Sequence, residues 1–219
     1  MILLGLQSYL TFSLILFLIV PLGQLSFWRR LGVLAGLTVL GALPFVNGMS
    51  LAGYLRGVTD DLAYTSMVWL FAGALMRLGY ISVWPHSQLS QLWICFAVMG
   101  VILFPAAMGI GMIDTYGWGF SPRPMLVAVG GLTILMIMLR NAPGALFLLA
   151  ATAAFVLDIK PSDNYWDYLL DPFIFLYSLG ALGLRAMSLM RSRKAFFTHS
   201  LSSTSDGLGD TDPTGRTSA

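Results

Sequence analysis

The sequence predicts an all-α fold: a polytopic transmembrane helical bundle of about seven spans. Its N-terminus is expected outside, its C-terminus in the cytoplasm, with short interfacial helices on the outer face. Three observations predict this. Hydrophobic residues make up 57% of the chain and charged residues only 10%, whereas a soluble domain carries roughly 25% charged residues. Apolar runs recur along the chain, separated by short segments rich in Gly, Pro, Asn and Asp. The charges also fall into two chemically distinct sets that alternate from one connection to the next. A chain this apolar cannot cover itself with polar groups, so lipid must act as solvent for much of it.

The expected spans are residues 2–22, 31–46, 62–84, 89–112, 125–139, 145–157 and 172–190. The first has no basic residue before it and is followed by Trp28-Arg29-Arg30, so it is expected to be a retained span rather than a cleaved signal peptide. Asn47-Gly48 ends the second and Pro85 the third. Pro105 lies inside the fourth. Arg140-Asn141-Ala142-Pro143-Gly144 is a turn signal between the fifth and sixth. These two are short, about 15 residues or roughly 22 Å each. A re-entrant hairpin would leave Arg140 at mid-membrane, at a cost of several kcal/mol, so two full spans are expected. Pro172 stands at the favoured first position of the last helix.

Orientation follows from Lys and Arg in the short connections. One set holds Arg29, Arg30, Arg140, Arg191, Arg193 and Lys194. The other holds Arg56, Arg123 and Lys160 together with Asp60, Asp61, Asp114, Asp158, Asp163, Asp167 and Asp171. The first set is expected in the cytoplasm. Residues 1–196 then form the transmembrane helical domain. Residues 197–219 form a cytoplasmic tail too poor in apolar side chains to offset its chain entropy, and disorder is expected there. The expected compartment is a bacterial inner membrane.

A formal net charge of +2 gives no basis for nucleic-acid binding. Cys95 is the only cysteine, which excludes an internal disulfide and any multi-cysteine metal site. It is expected to act as a small buried hydrophobe. All the acids are aspartate. No nucleophile elbow, zinc-binding helix motif or phosphate loop is found, and no cofactor or metal is expected. Arg77 and Arg185 are expected to snorkel to the cytoplasmic interface. Gly32 and Gly36 have the spacing that lets helices approach closely, with tight packing inside the bundle expected there.

Chemistry is therefore sought in the outward loops. Arg56 and Asp60 have the spacing of a helical ion pair, and Thr59 or Asp60 suits the N-cap of the third span. Tyr116, Trp118 and Phe120 suit the headgroup zone, while Arg123 stands between two prolines. Asp163, Asp167 and Asp171 recur every four residues. On one helix they would form an acidic stripe, with Ser162 as its cap and Asp171 as the cap of the last span. The candidate ligand-binding cluster is thus Arg56, Asp60, Asp61, Asp114, Arg123, Asp163 and Asp167, ringed by Tyr54, Trp118 and Trp166. Catalytic and metal-ligating residues are not assigned.

The run from Gly53 to Leu62 and the run from Asp114 to Gly119 resemble the membrane segment that precedes the extracytoplasmic domain of phosphoglycerol and phosphoethanolamine transferases. The likeness covers a small part of the chain, without that family's catalytic domain. It implies a place in envelope lipid or polymer metabolism. The expected role is a non-catalytic accessory or scaffold subunit of such a system, with the bilayer and a membrane or periplasmic protein as partners. The alternatives are a small-solute transporter or lipid translocator, and a membrane enzyme acting on phosphorylated lipid headgroups at the outer face.

Overall fold

The computed structural model describes the backbone of residues 2–110 and 112–206 and the side chains of residues 5–110 and 112–191. The described chain is 75% helical and has no strands. Its helices are α1 (Ile2–Ile19), α2 (Phe27–Ala42), α3 (Leu51–Thr59), α4 (Tyr64–Leu78), α5 (His86–Ala107), α6 (Pro122–Met138), α7 (Ala142–Val156), α8 (Trp166–Leu169) and α9 (Pro172–Asp206). The seven longer helices fall on the seven apolar runs. Short α3 and α8 lie in aspartate-bearing connections, where interfacial helices were expected.

Helix length supports the expectation of seven full spans only in part. Among the described residues, two helices are long and apolar enough to cross a membrane, His86–Ala107 and Pro172–Arg191. Gly5–Ile19, Pro122–Met138 and Ala142–Val156 are apolar but shorter. The chain divides into two compact units, residues 1–178 and 179–219. In the second, α9 continues to Asp206, so the part of the expected tail from 197 to 206 is helix. Residues 207–219 lie outside the described residues.

Local chemistry explains the helix ends. Pro122 and Pro172 occupy first-turn positions, where a missing N–H costs nothing. Asn141 caps α7 by accepting from the Gly144 amide at 2.9 Å. Gly79 at φ 90° ends α4, and the Tyr80 amide reaches back to the Leu75 carbonyl. Arg140 (φ 55°) and Asp158 (φ 50°) close α6 and α7 with the same back-bonding. These are side-chain-bearing residues where glycine is favoured.

Within the first unit, α1 packs on α2, α3 and α4, and α7 packs on α4, α5, α6 and α8. One core, around Leu14, Phe17, Leu22 and Ala74, joins α1, α2 and α4. The other gathers Phe96, Phe147, Leu148, Tyr165, Tyr168 and their neighbours around α7. Trp69, Trp84 and Phe147 meet edge to face, with centroids 5.6–6.1 Å apart. Such pairs add about 0.5–1.5 kcal/mol each beyond area burial. Small residues on α7 (Gly144, Ala145, Ala151, Ala154) let its neighbours approach. Gly32 and Gly36 do not serve that purpose: nothing lies within 4 Å of a Cβ at either. Close approaches to other parts of the fold occur at Gly41, Gly73, Gly100, Gly119 and Gly144 instead, while those at Gly53 and Gly117 are to side chains three or four residues away.

The bundle has two polar ends. At one, the Arg77 guanidinium donates to the Phe17 and Val20 carbonyls, and Arg30 donates to the Arg77 carbonyl. Arg77 thus caps the C-terminus of α1 at this polar end, because the last carbonyls of a helix need donors. At this end too, Gln88 donates to the Arg140 carbonyl, and Asn141 donates to Gln88 and Gln91. At the other end lie the aspartate-bearing loops. The layers are marked by Gln7 and Val20 on α1, Thr65 and Arg77 on α4, Gln88 and Ile102 on α5, and Asn141 and Thr152 on α7. They stand about 11–14 residues apart along each helix, or roughly 17–21 Å. Because α7 reaches from one layer to the other, Arg140 lies at an end of the bundle and is exposed. Between the layers the outward faces are apolar, with Ile94, Val98, Val127, Ile134, Leu146 and Leu149 exposed.

A Cβ at Gly100 would lie 2.0 Å from the Phe175 ring, which itself packs against Phe104 with centroids 4.9 Å apart and planes tilted by 32°. Gly100→Ala should therefore destabilise by about 1–3 kcal/mol. Gly130→Ala, with nothing within 4 Å, should be neutral or gain up to about 1 kcal/mol from helix propensity. Thermal unfolding of the detergent-solubilised chain checks both, and equal midpoints for the two variants would contradict the packing.

Candidate functional site

The loop of residues 157–171 is the centre of the aspartate-bearing end. Ser162 and Asn164 shape it: the Ser162 hydroxyl accepts from the Asn164 amide, and the Asn164 side chain accepts from the Trp166 amide at 3.0 Å. That turn limits α8 to four residues. The backbone is already extended at Leu170 (φ −150°), so Asp163, Asp167 and Asp171 do not form one stripe. Asp163 is exposed and Asp167 half-buried, while Asp171 is 8% exposed. Asn164, rather than Ser162, serves the first turn of α8.

One edge of this loop reaches the turn of residues 112–120. Trp166 Nε1 donates to the Thr115 carbonyl at 2.9 Å, and the Tyr165 amide donates to the Gly119 carbonyl at 3.0 Å. Asn164 also donates to the Tyr116 carbonyl. A Cβ at Gly119 would sit 1.7 Å from Asn164 Oδ1, so only glycine permits this contact. The Thr115 hydroxyl donates to the Ile102 carbonyl, one turn before Pro105. Asp114 accepts from the Gly117 amide at 2.8 Å and orders the turn locally.

The other edge reaches α4. Asp171 Oδ1 accepts from the Ile174 amide and Oδ2 from the Ala63 amide, both at 2.9 Å. One carboxylate thus serves the starts of two helices, where the dipole favours a negative charge. It caps the last helix as expected. It also takes the role at α4 that Thr59 or Asp60 was expected to fill. The Thr65 hydroxyl donates to the Leu169 carbonyl at 2.7 Å. Lys160 Nζ donates to the Asp61 carbonyl at 2.6 Å and, more weakly, to the Asp167 carbonyl at 3.4 Å.

Arg56 pairs with Asp61, at 2.7 Å, and not with Asp60. Helix α3 stops at Thr59, and Asp60 adopts φ 56°, ψ −165°, a region open almost only to glycine. That reversal swings Asp61 back over Arg56. The Asp61 side chain is 7% exposed and Arg56 is 37% exposed. The second carboxylate oxygen of Asp61 is buried without a partner. The cleft around this pair, between Ser8, Thr11 and Thr59, holds no space for a water-sized body.

Of the expected cluster, the structure joins Arg56 to Asp61 and links Asp61 to Asp167 through Lys160. Asp60 and Asp163 are exposed beside them. Asp114 belongs to the turn on the other flank, and Arg123 is exposed at the start of α6. Trp118 is exposed as a ring residue would be, whereas Trp166 is buried in the protein. No group of three or more potential metal ligands occurs among the described residues. The parts that the spacing did not reveal are Lys160, Asn164, Thr65 and Thr115. Each bonds a backbone group distant in sequence, and no local pattern marks such a bond. The Asp171-Pro172 pair was the one readable signal.

The Tyr168 hydroxyl donates to the Lys160 carbonyl. Burial pushes the Tyr168 phenol above its ordinary range; the bond to Lys160 lowers it, and the nearby Asp158, Asp167 and Asp163 carboxylates raise it further. Burial likewise raises Tyr165, against the hydrogen bond to Thr152.

Two predictions follow from this geometry. Asp171→Ala leaves two buried amides without acceptors, each costing about 1–3 kcal/mol. Hydrogen exchange should then accelerate at Ala63 and Ile174 before it does in α5; unchanged protection would count against the double cap. The raised phenol of Tyr168 favours the folded state while it stays protonated. Its contribution is complete below the ordinary phenol pKa of about 10 and is lost as pH rises through the higher folded value. Phenolate absorbance should show a late-titrating group that disappears in Tyr168→Phe.

Comparison with protein-family models, with curated proteins and with solved structures gives no match to this chain.

Proposed function

We propose that this chain is an integral membrane protein of a bacterial inner membrane. In this reading its seven longer helices cross the bilayer, the start of α1 lies outside and the end of α9 lies in the cytoplasm. Its role is that of a non-catalytic accessory or scaffold subunit of an envelope lipid or polymer system. Support for the membrane placement comes from the two long apolar helices and from the exposed apolar band between two polar layers. The layers stand closer than the ~30 Å of an average hydrocarbon core. The short helices α6 and α7 therefore require a locally thinned bilayer, at a modest cost per ångström of mismatch. The orientation rests on placing the arginine-bearing end inside.

The observation that carries the scaffold reading is the occupation of the loop side chains. Asp61, Asp114, Asp167 and Asp171 each make a bond that holds a loop or helix end. Arg56 is paired, and its cleft has no room for a substrate. Groups so committed are poorly placed to move protons in a reaction. What remains for a partner is the outer surface: exposed Trp118 and Phe120 beside exposed Asp163 and Arg123.

In a Cys95→Ser background, cysteines placed at Asp163 and at Arg140 separate the two faces. A membrane-impermeant thiol reagent on intact cells should label the first and spare the second; the reverse pattern defeats the orientation. Crosslinking through Trp118 and Asp163 in native membranes should recover a stoichiometric protein partner. Turnover of a lipid or headgroup substrate by the purified chain alone would contradict the scaffold reading.

A further inference from the structure

Between α1, α3, α4 and the first turns of α9 lies an apolar groove of about 540 Å³. It runs beside α4 from Leu62 to Leu70, about eight residues or roughly 12 Å. The rings of Trp69 and Tyr177, both lining it, meet at 5.4 Å. Phe173 and Tyr177 are 47% and 51% exposed, so the groove is open along that side rather than sealed. The lining is almost wholly apolar. Its aliphatic hydroxyl-bearing exceptions are Thr59, which donates to the Leu55 carbonyl, and Ser66, whose buried hydroxyl has no partner.

The groove does not end in apolar surface. Leu55 and Thr59 line it and also line the cleft that holds Arg56, Asp60 and Asp61. A charged rim therefore adjoins its α3 end. Arg56 has one amino group on Asp61 and further N–H donors on a side chain 37% exposed. Asp60 is exposed beside it, and the unpartnered oxygen of Asp61 lies below. The rim carries both signs of charge within one turn of chain. A purely anionic headgroup would place its charge next to two carboxylates. A headgroup that joins a phosphate to an ammonium meets an opposite charge at each of its own.

We propose that this groove holds an acyl chain of a zwitterionic phospholipid, with the phosphate on Arg56 and the ammonium on Asp60. The occupant is a lipid rather than a free phosphate compound, because the cleft around the ion pair has no volume of its own and the space available is apolar. The site uses α3, which is too short to span a membrane, as the element that carries the headgroup. It rests on the membrane placement proposed above and is independent of orientation and of any partner.

The test is graded delipidation of the full chain, purified in detergent from membranes that contain both zwitterionic and anionic phospholipids. Retained lipid is counted by native mass spectrometry. The wild-type chain should keep one zwitterionic phospholipid after the others are lost. Ser66→Leu, which fills the groove, and the paired neutral change Arg56→Gln with Asp61→Asn should each lower that retention at least tenfold. Asp60→Asn is isosteric and leaves the backbone demand at this position unchanged, and it should shift retention towards anionic lipid. Ile134→Ala, on the exposed face of α6, should change nothing. Equal retention across all these variants, a wild-type preference for anionic lipid, or displacement by soluble glycerophosphocholine would each overturn the proposal. Thermal unfolding of every variant separates lost binding from lost folding, with Asp60→Asn as the variant least able to disturb the fold. Recovery of the chain in the soluble fraction without detergent would instead refute the membrane placement.

Discussion

Backbone amides and carbonyls withdrawn from water cost several kcal/mol each unless they are bonded. At the aspartate-bearing end this requirement is met largely by one loop, residues 157–171. Asp171 satisfies amides at the starts of α4 and α9, and Trp166 and Asn164 satisfy carbonyls of the turn near Thr115. Lys160 takes the carbonyl of Asp61. The positions of α3, α4 and the 112–120 turn relative to one another depend on these bonds. So does the reversal at Asp60, since the residue after it is held on both sides, by Arg56 and by Lys160.

The arginine-bearing end meets the same requirement with the opposite charge. There α1 presents its last carbonyls, and Arg77 donates to two of them. A carboxylate sits where α4 and α9 begin, and a guanidinium sits where α1 ends, each as the helix dipole favours. The charge asymmetry that orients membrane proteins thus has a second use within the fold. It is a capping chemistry, and the same residues would be placed this way by helix polarity alone.

Between the ends the problem is packing rather than polarity. In the proposed membrane placement lipid tails are as apolar as leucine, so helices would associate there through close contact. The contact is made by alanine and glycine on α7 and by large rings that fill what remains, Phe96, Phe147 and Trp69 among them. It is incomplete beside α3 and the first turns of α9, where the apolar groove remains. There a strained residue, an orphaned carboxylate oxygen and an orphaned hydroxyl lie together. Among the described residues, buried side-chain atoms without partners otherwise occur at Arg30 and Trp93, neither of which lines the groove.

The sequence by itself determined the helical class, the positions of the long helices, the two charge sets and the turn at Arg140. These follow from apolar run length, proline and glycine punctuation and charge, all of which are local properties. The Asp171-Pro172 cap was legible for the same reason. Only the tertiary structure decided that Arg56 pairs with Asp61, that Asp171 also serves α4, and that Arg77 caps α1. It also decided that the three spaced aspartates go to different surroundings. Each of these bonds joins groups whose separation along the chain, or whose backbone reversal, no periodicity encodes.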